Sequence, residues 1–244
     1  MNPNSTTDPE TDDIPSELKT FPYPLTPLPM EKTEQYFLTL RKESLTTNKI
    51  PVLLGDITEI KRVRENMTIN PQEPDTVLSA AEIINGRDWL SIAVPELLNP
   101  HTTSKSMMGK WPKKNTPSKK LSAFKTRVPI RYRSTQYITW IPTDQAWKIP
   151  AYLQQGGWNA YPDPAHECAV ARYFEEKYGA EYTATTGTDA EYIVAHPPVT
   201  PKEAEVLALE HYSFCPDTVE QGADSIRNLA AMLLNSSTWM FWWD

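Results

Sequence analysis

Between Leu97 and Thr143 the chain carries ten Lys or Arg and no Asp or Glu. The residues that follow, 144–244, hold fifteen acids against five bases, and the 96 residues before hold sixteen against nine. A chain divided in this way is constrained in how it folds. The basic stretch must lie across acidic faces of its own body or be left facing a partner. Intramolecular charge balance is the plainer reading, and a formal net charge of −7 argues against a general nucleic-acid binder.

Eight Trp, eleven Tyr and six Phe are enough to seed a core. No apolar run approaches the roughly 18 residues of a membrane-spanning helix. The opening MNPNSTTDPETDD is acidic and polar, unlike a secretory signal or a transit peptide. Two Cys cannot build a disulfide framework, and no Cys/His pair has zinc-site spacing. These features predict a soluble, cytoplasmic chain with no metal, no cofactor and no membrane contact.

Residues 1–30 read as a flexible, Pro-rich acidic tail, whose apolar end FPYPLTPLPM either lies against the body or serves as a polyproline-like ligand. Residues 31–98 form an N-terminal α/β portion. Its spacing predicts a helix over 34–45, a buried strand IPVLLG at 50–55 and a helix capped by Asp56 or Thr58. A further helix over Thr76–Ile84 is stopped by Asn85-Gly86. Residues 99–126 read as a long basic loop. From Arg127 to the end the pattern is that of a C-terminal α+β domain: VPIRYRS and QYITWIP as two strands, a helix opened by Pro162 and Pro164 and ended by Gly179, and a hairpin about Gly187. Helices over 201–212 and 223–234 and the strand TWMFWWD complete it. The sum is an α+β fold with helices packed on a mostly antiparallel sheet.

The most distinctive residues are GGWN at 156–159, Pro162 and Pro164, YGAE at 178–181, CPD at 215–217, QG at 221–222 and the terminal FWWD. In this order and spacing they resemble the bacterial family known as domain of unknown function 4253. The resemblance covers about residues 127–244, with PVLLGD at 51–56 similar to the family's N-terminal portion. It implies an α+β domain of bacterial type with no activity attached.

Read as chemistry, Trp158 is a candidate cover for an apolar pocket, and Asn159 is either a helix cap or a ligand contact. His166 is a candidate general base, with a half-buried structural His as the alternative. Cys215 is a candidate nucleophile because His211 stands four residues upstream; the alternative is a packed helix-to-loop junction. Asp217 either pairs with Glu220 or caps a short turn. In a terminal strand Phe241 and Trp243 face one side and Trp242 the other, where it can join a binding surface. No phosphate-loop, dinucleotide or nucleophile-elbow pattern occurs.

No complete catalytic constellation emerges, and no catalytic residue is assigned. The leading expectation is a non-enzymatic protein-binding module, in its most concrete form an immunity-type protein that neutralises a toxin. Its contacts would come from Lys110, Trp111, Lys113 and Lys114 of the basic loop, with Trp158, Asn159 and Trp242. The alternative is a small-ligand-binding protein or enzyme with a pocket near Trp158, His166 and Cys215. A second alternative is nucleic-acid binding through the basic loop, which places Trp111 among cations.

Overall fold

Strand β2 (Ile50–Gly55) is buried at every position, because it runs through the middle of a sheet covered on both faces. The computed structural model describes residues 14–29, 33–44, 46–69, 71–91, 105–114, 117–121 and 134–243. Through them runs a six-stranded sheet of order β1-β3-β2-β4-β5-β6, where β1 is Leu25–Pro27, β3 Tyr137–Ile141, β4 Ala180–Ala184, β5 Asp189–Val194 and β6 Thr238–Trp242. All neighbours are antiparallel except β2 and β4, which are parallel at Leu53 and Ala184. The architecture is α+β with a mostly antiparallel sheet, as the sequence predicts.

Helix α1 (Thr33–Ser44) puts Phe37 into a core with Leu28, Leu53, Leu121 and Ile138. The buried Arg41 ties this helix to the sheet. It donates to Pro51 O at 3.1 Å, Tyr182 O at 3.0 Å and Glu181 Oε2 at 2.9 Å. The larger core gathers Val52 and Leu54 with Ile60 and Val63 of α2 (Ile57–Asn66) and Phe174 of α7 (Pro164–Tyr178). It also takes Leu207 and Phe214 of α8 (Pro201–Phe214) and Leu229 of α9 (Ile226–Leu233). Helix α2 starts where Asp56 and Glu59 form a reciprocal capping box, so Asp56, not Thr58, is its cap.

Three expectations change. Residues 1–13 lie outside the described residues, but 14–29 are not a tail: Leu18 and Leu28 are buried and Leu25–Pro27 pairs with β3. This three-residue strand ends in Pro27 and forms one edge of the sheet, where the missing N–H donor discourages a further strand. Asn85-Gly86 does not only close α3 (Pro74–Ile83). It opens α4 (86–91), with Asn85 Oδ1 accepting from Asp88 N at 3.1 Å. Finally, the described parts of the basic stretch do not loop free. They include the turn α5 (Lys105–Met108), and Met107, Met108 and Trp111 pack on the core while Leu121 is buried. The strand expected at VPIRYRS falls on residues 128–133, outside the described residues, apart from Ser134.

Gly86 is pressed against α7. A Cβ there would meet Ala169 O and lie 2.7 Å from its carbonyl carbon. Backbone cannot yield as a side-chain end can, so Gly86→Ala is expected to destabilise the protein by about 1–3 kcal/mol. Urea unfolding checks this, and a variant as stable as the parent would place α4 elsewhere.

Candidate functional site

The Gly156–Asp163 turn connects α6 (Ile149–Leu153) to α7 and is folded back on itself. Gly157 N donates to Tyr161 O at 3.1 Å and to Pro162 O at 3.0 Å, and Gly156 has φ +88°, with no room for a Cβ against Pro162 O. Asn159 sits in the left-handed region at φ 48° and does not cap α7. Asp163 does, with Oδ1 accepting from Ala165 N at 2.9 Å and His166 N at 3.1 Å.

The fold of this turn drives Tyr161 inward, where its ring stacks on Trp243 at 3.6 Å and 8°. Trp158 packs edge-on against Tyr161 at 5.6 Å. The Tyr161 hydroxyl donates to Glu167 Oε1 at 2.9 Å. Glu167 is wholly buried one turn into α7, and its Oε2 has no hydrogen-bond partner among the described residues. The indole N–H groups of Trp158 and Trp243 and the Tyr192 hydroxyl are likewise buried and unpartnered there. Burial pushes the Glu167 carboxyl up to about 8, against the opposing hydrogen bond from Tyr161 and with a small push from Asp163. Burial also raises Tyr161 and Tyr192 well above the usual phenol value. The cluster therefore holds its protons at neutral pH, sealed under the turn.

The buried functional candidate on this helix is Glu167, the neighbour of the expected His166. The signal was present: Glu167 occupies the buried stripe that continues through Ala171, Phe174 and Tyr178. His166 instead is half-buried, its Nδ1 2.7 Å from Asp163 Oδ2 and its ring 5.3 Å from that of Trp89, the arrangement of a structural histidine. Beside this helix start an open cleft of about 390 Å³ is lined by Gln72, Gln154, Gly156, Gly157, Asp163 and Pro164, among others. None of Trp158, His166 and Cys215 is among the residues that line it, so this cleft is not a pocket formed by those three.

The Cys215/His211 dyad is not assembled either. Cys215 is fully buried at the end of α8, and its Sγ donates to Trp242 O at 2.8 Å. Burial pushes this thiol up to about 12. His211 is enclosed by Phe241 at 4.4 Å, Trp239 at 4.9 Å and Phe174 at 5.8 Å between ring centroids. Burial pushes its imidazole down to about 3, so it is neutral and supplies no cation to stabilise a thiolate. Asp217 does not cap the following turn (Thr218–Ala223) with its side chain; its Oδ1 accepts from Gln221 Nε2 at 3.0 Å. Glu220 accepts from the Tyr212 hydroxyl at 2.6 Å.

The distinctive motifs meet at the terminal strand. Tyr161 stacks on Trp243, Cys215 bonds the Trp242 carbonyl, and Gly222 lies under the Trp242 ring, where a Cβ would be 2.6 Å from Cη2. Phe241 and Trp243 are buried while Trp242 is half-buried on the other side, the alternation expected of a strand. The motifs thus close an edge of the sheet.

The remaining predicted contacts lie on the basic stretch. Lys110, Lys113 and Lys114 are exposed and Trp111 is half-buried, packed against the core. The stretch is tied down at two places. Gly109 O accepts from Arg227 Nη1 at 3.1 Å. Farther along, Ser118 O accepts from Ser237 N at 2.9 Å and from Ser236 Oγ at 2.8 Å, and Lys120 Nζ pairs with Glu34 at 2.8 Å.

Among the described residues no group of three or more His, Cys, Asp or Glu is placed to hold a metal ion, and no helix is long and apolar enough to cross a membrane. Residues 137–244 match the model of a family described as Domain of unknown function (DUF4253). No curated protein and no solved structure matches the chain.

Proposed function

We propose that this chain, whose residues 137–244 match the DUF4253 family model, works as a non-enzymatic protein-binding module in the bacterial cytoplasm. The concrete form of this reading is an immunity-type protein that neutralises a toxin. The observation that carries it is how the reactive side chains are used. The Cys215 thiol serves a backbone carbonyl, His211 is a neutral core residue, and His166 is held by the cap of its own helix. Each of these groups is bonded or enclosed within the fold in the place where chemistry would need it free. In contrast, the lysines of the basic stretch are held out on an anchored backbone.

The test is affinity capture of the tagged full-length protein from the cells that make it, followed by co-expression. A single protein retained in stoichiometric amount, toxic alone and silenced by this chain, is the expected result. A retained metabolite that the protein converts, with no protein bound, would overturn the proposal and direct attention to the cleft beside Asp163.

A further inference from the structure

We infer that the exposed lysines of the basic stretch, Lys110, Lys113, Lys114 and Lys119, dock an acidic surface of a partner protein. This inference rests on the protein-binding reading above and adds the surface and the chemistry of the partner. All four lysines are exposed, and none makes an ion pair with another described residue. Lys120, which stands beside them, shows the contrasting use: it is spent on Glu34. Among the described residues, ion pairing within the molecule thus accounts for Lys120 and leaves the other four exposed.

The backbone that carries them is already ordered at both ends. On one side Met107, Met108 and Trp111 pack on the core and Arg227 holds Gly109 O. On the other, Leu121 is 2% exposed and Ser118 is bound by Ser236, Ser237 and Thr238. A partner meeting this face need not order the anchored backbone, which lowers the entropic cost of association. Long-range attraction between the lysines and an acidic surface would speed encounter and fix orientation.

Two observations favour protein over nucleic acid as the occupant. Binding of single strands uses outward aromatic rings on which bases stack, and Trp111 is turned to the core. The rest of the chain is acidic on both sides of the basic stretch and would repel a long polyanion.

The experiment compares the full-length chain with Lys110→Glu/Lys113→Glu/Lys114→Glu, and with Lys42→Glu/Lys49→Glu/Lys202→Glu as a charge-matched control at other exposed sites. The protein retained in the capture is purified and titrated against all three, with an oligoglutamate peptide and a short DNA duplex as defined competitors. The retained protein is expected to be acidic. Its affinity should fall about tenfold or more in the first variant, stay within about twofold in the control, and fall with added salt. Oligoglutamate should displace it and the duplex should not. Matching thermal melts establish that the variants fold, and a Lys→Gln set repeats the test without charge reversal. A partner bound equally well by the first variant would overturn this inference and leave the protein-binding reading intact. So would displacement by the duplex alone, or retention only of a second copy of this chain. Retention of no protein at all would overturn both.

Discussion

A fragment consisting of residues 137–244 alone is expected not to fold, although it spans the whole family match. Strand β3 begins this fragment, and both of its neighbours, β1 and β2, lie upstream of residue 137. Strand β4 loses β2 as well, so the middle of the sheet is missing and two edges are opened. The loss is also one of core. Ile50, Val52, Leu53 and Leu54 are each 9% exposed or less. At about 1.5–3 kcal/mol for each such side chain, the removed burial is as large as the whole stability of a typical domain. Circular dichroism and amide dispersion of the fragment should report a disordered chain, and addition of residues 14–91 in trans should restore structure. A fragment that melts cooperatively by itself would mean that the sheet closes without β2.

The second large effect concerns the proton on Glu167. Burial raises this carboxyl from its ordinary 4.5 to about 8, so between those values the folded chain binds a proton that the unfolded chain has released. Its contribution to stability is therefore complete below about pH 4.5 and is lost as the pH rises through about 8, at up to about 1.4 kcal/mol per unit. Glu167→Gln keeps the size of the side chain and an oxygen to accept from Tyr161, but removes the titration. Urea unfolding as a function of pH should show the variant close to the parent near pH 5 and more stable by a few kcal/mol near pH 9. The acid limb should not change, because it belongs to groups other than Glu167, the buried His211 among them. That imidazole titrates near 3 when folded and near 6.5 when unfolded, so stability falls as the pH drops between the two. A variant whose profile merely runs parallel to the parent's would show that Glu167 ionises freely in the fold.

Legibility along the chain followed the range of the interaction involved. The start of α2 could be placed because its cap acts within three residues, Asp56 on Glu59 N, and that of α7 because Pro164 stands at its first position; the cap of α7 is Asp163 and not the Asn159 expected. The Asn-Gly pair at 85–86 reads locally as a stop, and α3 does end before it; the same Asn85 also caps the next helix through Asp88 N, and close packing on Ala169 leaves no room for a Cβ at Gly86. The candidate site was harder to read, since its groups are joined across the fold. His211 and Cys215 have the spacing of a pair on one helical face. Yet a carbonyl on β6 takes the thiol proton, and aromatic rings from α7 and β6 enclose the imidazole.

By itself, the sequence determined much of the local order: the uninterrupted apolar run of β2, the alternation in FWW, the Asp56 cap of α2, and the concentration of Lys between acidic segments. These follow from side-chain period, backbone preference and charge, which act over a few residues. The tertiary structure decided which strands are neighbours, that a Pro-rich segment forms one edge of the sheet, and that Glu167 is sealed under Tyr161 and Trp243. It also decided that four lysines face outward while a fifth is neutralised. Each of these depends on contacts between residues distant in the chain, whose energy exists only once the sheet has closed.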